Sequence, residues 1–178
     1  MIFMKEILYI SRNGLTEPLG RSQILPYILE LSKNYSFTII SKEKESDLKN
    51  TSNLTKIEIN LKRKEIIWNY SIFKYGKKSV PFALFKDLII SISICLKHNV
   101  KIVHCRGYLT NIIGLIIKIL LHKKLVFDMR ALWPEEIALG LKYGRRNIIY
   151  KSLKVLEKIC IHGSDEIISL LTCKRLFN

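Results

Sequence analysis

The chain has 178 residues, enough for one domain with a real core and too few for two of equal size. Hydrophobic residues make up 48% and recur in segments throughout, which excludes an intrinsically disordered chain. Thirty Lys and Arg against 15 Asp and Glu leave a net charge of +15, which points to an anionic partner such as nucleic acid, acidic lipid or a phosphorylated ligand. The abundance of Lys, Ile and Asn also fits an AT-rich coding sequence, so part of the charge is equally explained by composition.

The first expected strand is EILYIS (6–11), and it opens a run, MIFMKEILYIS, that the Lys5-Glu6 pair interrupts and no small-residue cleavage site follows. That excludes a signal peptide. The turn-rich RNGLTEPLG comes next, then a helix carrying Ile24, Leu25, Ile28, Leu29 and Leu31 at helical spacing. A second strand is expected at SFTIIS (36–41), a polar loop at KEKESDLKNTSN, and a third strand at TKIEINL (55–61), where apolar and polar residues alternate. Residues 62–79 carry Trp68, Tyr70, Phe73 and Tyr75 among lysines without a clean period, as an irregular or short helical connection would.

Pro81 suits the first turn of a helix, and from Leu84 the set Leu88, Ile92 and Cys95, flanked by Phe85, Ile89 and Leu96, marks a long one. Strand VKIVHC, a helix from about Tyr108 to Leu121, and strand KLVFDM follow. A short helix is expected from Glu135 to Leu141. A longer one runs from Asn147 to Ile161, with Ile148, Ser152, Val155, Leu156 and Ile159 on one face, and DEIISL is the last strand. Strands alternating with helices imply an α/β fold with a doubly wound parallel sheet. The stretches Leu84 to Leu96 and Ile112 to Leu121 are broken by charges and are shorter than the ~20 residues of a membrane span. Cys95, Cys105, Cys160 and Cys173 form no CxxC pair and no zinc-type spacing, as expected of reduced thiols in a cytosolic protein.

In open α/β sheets ligands bind beyond the carboxyl ends of the strands, which nominates four loops. Arg12 to Ser22 carries Gly14 and Gly20 ahead of a helix N-terminus able to face a phosphate, though it matches neither GxGxxG nor a Walker A pattern and reads equally as a simple turn. After VKIVHC come His104, Arg106 and Tyr108; Arg106 is placed to clamp phosphate or carboxylate, and His104 is either a base or a satisfied rim histidine. FDMRALWPEE is the densest constellation, with Asp128, Arg130, Trp133, Glu135 and Glu136 following a buried strand; an Asp128–Arg130 pair could serve chemistry or only fix the loop. The Leu171-Thr172 turn is the fourth and carries no readable chemistry. Lys62-Arg63-Lys64 and Lys77-Lys78, beside Trp68, Tyr70 and Tyr75, are either a solvated face or a resting surface on an anionic membrane, and Arg145-Arg146 is a further basic pair.

Taken together, ILYISRNGLTEPLGRSQILPYILELSK, IVHCRGY, LVFDMRALWPEE and the helix before SDEIISLL resemble the acceptor-side N-terminal domain of family 4 glycosyltransferases, from about Lys5 to the chain end. The resemblance implies one half of a GT-B architecture, in which two Rossmann-like domains face each other across a cleft. Residues 1–178 would be the acceptor half alone, without the C-terminal domain that holds most nucleotide-sugar contacts, and inactive by itself. It further implies that Gly20, Arg21 and Ser22 approach the donor diphosphate, that His104 and Arg106 line the cleft, and that Asp128, Arg130 and Glu135 form its floor. Asp128 and Arg130 are then the catalytic candidates, although some members place a histidine where this chain has Asp128-Met129-Arg130.

The implied activity is transfer of sugar with retention, in cell-envelope or surface-polysaccharide synthesis. The departing diphosphate would help to deprotonate the acceptor, with no metal and no other cofactor. The implied partners are a nucleotide-sugar donor and a glycan or lipid-linked acceptor, in the cytoplasm or at the inner face of the cell membrane. A non-catalytic module docking on a membrane or a catalytic subunit is the alternative. Nucleic-acid binding has the charge but no recognition motif, so none is expected.

Overall fold

Alternate side chains of the first strand, β1 (Lys5–Ser11), feed two different cores. In the computed structural model, which describes residues 5–73, 80–140 and 144–169, Ile7 and Tyr9 pack with Ile24, Ile28, Phe37 and Leu61, whereas Leu8 and Ile10 pack with Ile94, Val103, Ile113 and Ile117. Successive strand residues point to opposite faces, so a strand with the unbroken apolar run Ile7 to Ile10 has to be covered on both. The sheet contains β1, β2 (Tyr35–Glu43), β3 (Ile67–Ile72), β4 (Val100–Arg106), β5 (Lys124–Met129) and β6 (Glu166–Ser169), all parallel, in the order β3-β2-β1-β4-β5-β6. That is the doubly wound order, and its direction reverses between β1 and β4.

A wide π-helical turn, Gly20–Ile24, leads into α1 (Leu25–Leu31); the Leu25 N–H reaches back to the Gly20 carbonyl. The single turn α2 (Glu45–Leu48) precedes α3 (Thr51–Arg63), which shares the first core with α1. The second core holds α4 (Val80–Lys97) and α5 (Tyr108–Leu121). Two further helices, α6 (Trp133–Gly140) and α7 (Ile148–Gly163), close on β5 around Tyr108, Phe127, Met129 and Cys160. Pro81 occupies the first turn of α4, and α5 spans the range its spacing predicts. Cys95, Cys105 and Cys160 are free, buried thiols, each with its pKa raised by burial.

Two expectations about elements are corrected. Residues 55–61 are the heart of helix α3, and the third strand falls at Ile67–Ile72, inside the segment expected to be irregular. Ile57 and Leu61, four residues apart, are both 2% exposed, while Ile59, which completed the apparent alternation, is 44% exposed. Parallel neighbours need a crossover connection of a dozen or more residues, and α3 supplies it between β2 and β3. The Asn50 side chain caps it by accepting from the Asn53 N–H.

The second correction concerns α7, whose buried positions are Glu157 and Cys160, with Leu156 packed beside them. Ile148, Val155 and Ile159, expected on the inner face, are more than half exposed. Glu157 is drawn inward because it accepts from the Tyr108 hydroxyl at 3.0 Å and pairs with Lys154. The ends of the expected helix Glu135–Leu141 and strand Asp165–Leu170 lie outside the described residues, as do Tyr75, Lys77-Lys78, the Leu171-Thr172 turn and Cys173.

Candidate functional site

The β1–α1 loop is held by a carboxylate from the next strand. Glu43, at the end of β2 and fully buried, accepts the backbone N–H groups of Leu15 at 2.8 Å and Thr16 at 3.0 Å, and the hydroxyls of Thr16 and Ser41, each at 2.5 Å. Trp68 Nε1 donates in turn to Ser41 Oγ. Both glycines serve this packing. A Cβ on Gly14 would lie 2.4 Å from Glu43 Oε2 and 2.9 Å from the Lys42 carbonyl, and one on Gly20 would lie 1.9 Å from the Gly14 carbonyl. The close backbone approach expected of the loop is therefore made to the chain itself. Gly20 is buried, while Arg21 and Ser22 are exposed at the start of the π-helical turn.

Arg106, Asp128 and Arg130 come together at the ends of β4 and β5, which pair in register at Arg106 and Asp128. Asp128 is 1% exposed and Arg106 is 4% exposed. Arg106 Nη1 lies 3.3 Å from Asp128 Oδ2, and Nη2 donates to Gln23 Oε1 at 2.8 Å, tying the π-helical turn to β4. Arg130 Nε stands 2.7 Å from Asp128 Oδ1, an ion pair in which the N–H is not aimed along a hydrogen bond. One buried carboxylate thus faces two guanidiniums, and Arg130 reaches outward from it.

Above this pair lies an open cleft of about 360 Å³, bounded by Arg12, Arg106, Gly107, Tyr108, Arg130 and Trp133. Gly107 precedes α5 with φ +88°, a left-handed conformation that glycine adopts at little cost. A neighbouring hollow of about 550 Å³ on the other side of Arg130 is lined by Leu132, Glu135, Glu136, Ala138 and Arg145.

His104 stands behind the cleft. It is 3% exposed, with its ring 4.8 Å from Tyr9 and 5.7 Å from Tyr27, and neither its Nε2 nor the Tyr9 hydroxyl makes a hydrogen bond among the described residues. Burial, with the positive charges of Arg130 and Arg106, pushes its pKa down to about 3, so the imidazole is neutral near pH 7. Burial raises the Tyr9 hydroxyl in the same direction of neutrality. Glu135 faces α7: it accepts from Tyr150 at 2.7 Å and Arg145 at 2.9 Å, and the Tyr150 hydrogen bond, ahead of the Arg145 contacts, lowers its pKa. Among the described residues no group of three His, Cys, Asp or Glu side chains converges as a metal site requires.

Three participants escaped the sequence: Arg12, Glu43 and Gly107. Arg12 directly follows a buried strand, the same signal that singled out Arg106. Glu43 was hidden because it lies between Lys42 and Lys44 in a polar stretch that reads as loop, although β2 stays buried through Glu43. Gly107 is the residue between Arg106 and the helix that was correctly placed.

The sheet order, the switch point and the cleft define a Rossmann-like α/β fold of the kind that forms one half of a GT-B protein. No protein-family model and no curated protein matches the chain. Among solved structures it is similar to a Listeria monocytogenes protein assigned as a UDP-N-acetylglucosamine 2-epimerase, with TM-score 0.51 and 10% identity over 93% of this chain and 38% of that one. A glycosyltransferase from Rickettsia africae (TM-score 0.47, 16% identity, 94% and 42%) and the spinosyn rhamnosyltransferase SpnG complexed with thymidine diphosphate (0.49, 9%, 93% and 45%) are more distant in shape. The chain spans roughly two fifths of the length of these structures.

Proposed function

We propose that this chain is the acceptor-side, N-terminal half of a nucleotide-sugar-dependent glycosyltransferase of family 4, working by retention in cell-envelope or surface-polysaccharide synthesis. The observation that carries the reading is the convergence of Arg106, Asp128 and Arg130 at the ends of β4 and β5, beside the switch point of the sheet. The name of the Listeria neighbour, which is similar over this half, includes a nucleotide sugar, and that supports the ligand class.

In this reading Asp128 orients the two arginines, and Arg130 supplies positive charge where the departing diphosphate develops its negative charge. Arg21 and Ser22 reach toward the donor from the exposed end of the π-helical turn. Arg106 and Gly107 face the acceptor, His104 supports Tyr9 and Tyr27 beneath them, and Glu135 fixes α6 against α7. A donor-binding domain, on the same chain or a separate one, completes the site, and the isolated acceptor half transfers nothing. Work at the inner face of the cell membrane is supported by Phe82, Phe85 and Ile89, which α4 exposes around Lys86. No helix among the described residues is long and apolar enough to cross a membrane.

The coding sequence beyond Asn178 tests this. A second Rossmann-like domain with paired glutamates, in frame or in an adjacent frame, is expected; a continuation of unrelated sequence with no such domain nearby would refute the proposal.

A further inference from the structure

The amide donors of the β1–α1 loop are already taken. Successive backbone N–H groups in such a loop form a nest for an anion, and here Leu15 and Thr16 donate to the Glu43 carboxylate. Unclaimed capacity for an anion lies further along the sheet, in the cleft at the ends of β1, β4 and β5. Among the described residues its lining holds three guanidiniums, Arg12, Arg106 and Arg130, and no carboxylate. Asp128 lies beneath and offsets one of the three charges, which leaves the cleft positive.

Arg12 has a donor to spare. Its guanidinium stacks over the Phe73 ring at 5.6 Å, and its buried Nη1 meets no acceptor among the described residues. Buried donors are almost always paired, and an anion in the cleft would supply the acceptor. The floor of the cleft is the start of α5, where no side chain caps the helix. First-turn N–H groups have no partner within a helix, and the space over Gly107 is open, since a Cβ there would meet nothing within 4 Å. The remaining wall is Trp133, with Tyr108 at 5.7 Å and an interplanar angle of 35°. A flat aromatic wall beside cationic groups suits a ring with apolar C–H faces that carries a phosphate.

We infer that this cleft binds a sugar phosphate, with Arg12 and Arg106 around the phosphate, Arg130 between it and the donor diphosphate, and Trp133 against the sugar ring. The inference rests on the proposed acceptor role and gives the acceptor its class: the phosphate adjoins the sugar ring. Free sugar phosphates and lipid-linked sugar diphosphates share that chemistry.

Calorimetric titration of the purified chain decides it, with glucose 1-phosphate, methyl α-glucoside and a short-chain polyprenyl diphosphate-linked N-acetylglucosamine as probes. Glucose 1-phosphate is expected to bind at least tenfold more tightly than methyl α-glucoside. Arg12→Gln and Arg130→Gln, each with an unchanged circular dichroism spectrum, should weaken glucose 1-phosphate at least tenfold, and added salt should weaken it as well. Tighter binding of the lipid-linked probe than of glucose 1-phosphate assigns the lipid source, and weaker binding assigns the soluble one; both support the site. Equal affinity for the phosphorylated and neutral sugars, unchanged affinity in both folded variants, or no binding of any probe overturns it. A chain that binds phosphorylated and neutral sugars equally, while the full gene product still transfers sugar, sinks only the site inferred here; a full gene product that transfers none sinks the proposed function, so the two ideas fail separately.

Discussion

Gly20 packs against Gly14 so closely that a methyl group on Gly20 would stand 1.9 Å from the Gly14 carbonyl oxygen. The obstacle is backbone, which cannot rotate aside as a side chain would. Gly20→Ala should therefore shift the loop and cost about 2 kcal/mol or more. Urea unfolding measures this, and a change within 0.5 kcal/mol, about the scatter of ordinary surface substitutions, would count against the packing described.

Each Glu43 oxygen accepts two donors, so an amide in its place turns at least one acceptor into a donor facing another donor. Glu43→Gln should lose about 3 kcal/mol. Amide hydrogen exchange at Leu15 and Thr16 should speed up far more than at the centre of β1. Equal acceleration at both places would mean that Glu43 does not hold the loop in particular.

The two arginines on Asp128 differ in depth, since the side chains of Arg106 and Arg130 are 3% and 23% exposed. Removing the carboxylate strands Arg106 as an uncompensated buried charge, so Asp128→Ala should destabilise by about 3–5 kcal/mol. Arg130→Gln leaves Asp128 its buried partner and should cost about 1 kcal/mol or less. Thermal unfolding of the two variants gives the ranking, and the reverse order would be inconsistent with the pair as described.

His104 makes stability depend on pH. Its folded pKa, about 3, lies below the ordinary value of 6.5, so below pH 6.5 the unfolded chain binds a proton that the folded chain refuses. The stability involved is complete above pH 6.5 and is lost as pH falls toward 3, at up to about 1.4 kcal/mol per unit. Between pH 7.5 and 5 the protein should lose about 2 kcal/mol more than His104→Gln does. Parallel curves for the two proteins would place His104 in contact with water.

The fold was legible wherever burial on both faces left an apolar run in a strand, as in ILYI of β1 and IV of β4. It misled where one exposed residue mimicked a period: Ile59 made α3 look like a strand, and exposed Ile148, Val155 and Ile159 gave α7 a false inner face. In both helices the true inner side depends on which groups the neighbouring elements offer, and for α7 that is the Tyr108 hydroxyl meeting Glu157. The candidate site was legible in Arg106, Asp128 and Arg130, because charge directly after a buried strand requires a partner or a use. Glu43 was not, since a single acid in a polar stretch says nothing until the loop beside it closes, whereas Arg12 carries the same signal as Arg106.

The most direct measurement is sugar transfer by the full gene product, followed as nucleoside diphosphate released from nucleotide-sugar donors with and without neutral, phosphorylated and lipid-linked sugar acceptors. Turnover is expected to depend on acceptor and to fall at least a hundredfold, roughly 2.7 kcal/mol of transition-state stabilisation, in Arg130→Gln. Acceptor-independent release, or full transfer by the folded Arg130→Gln variant, would contradict the proposed function.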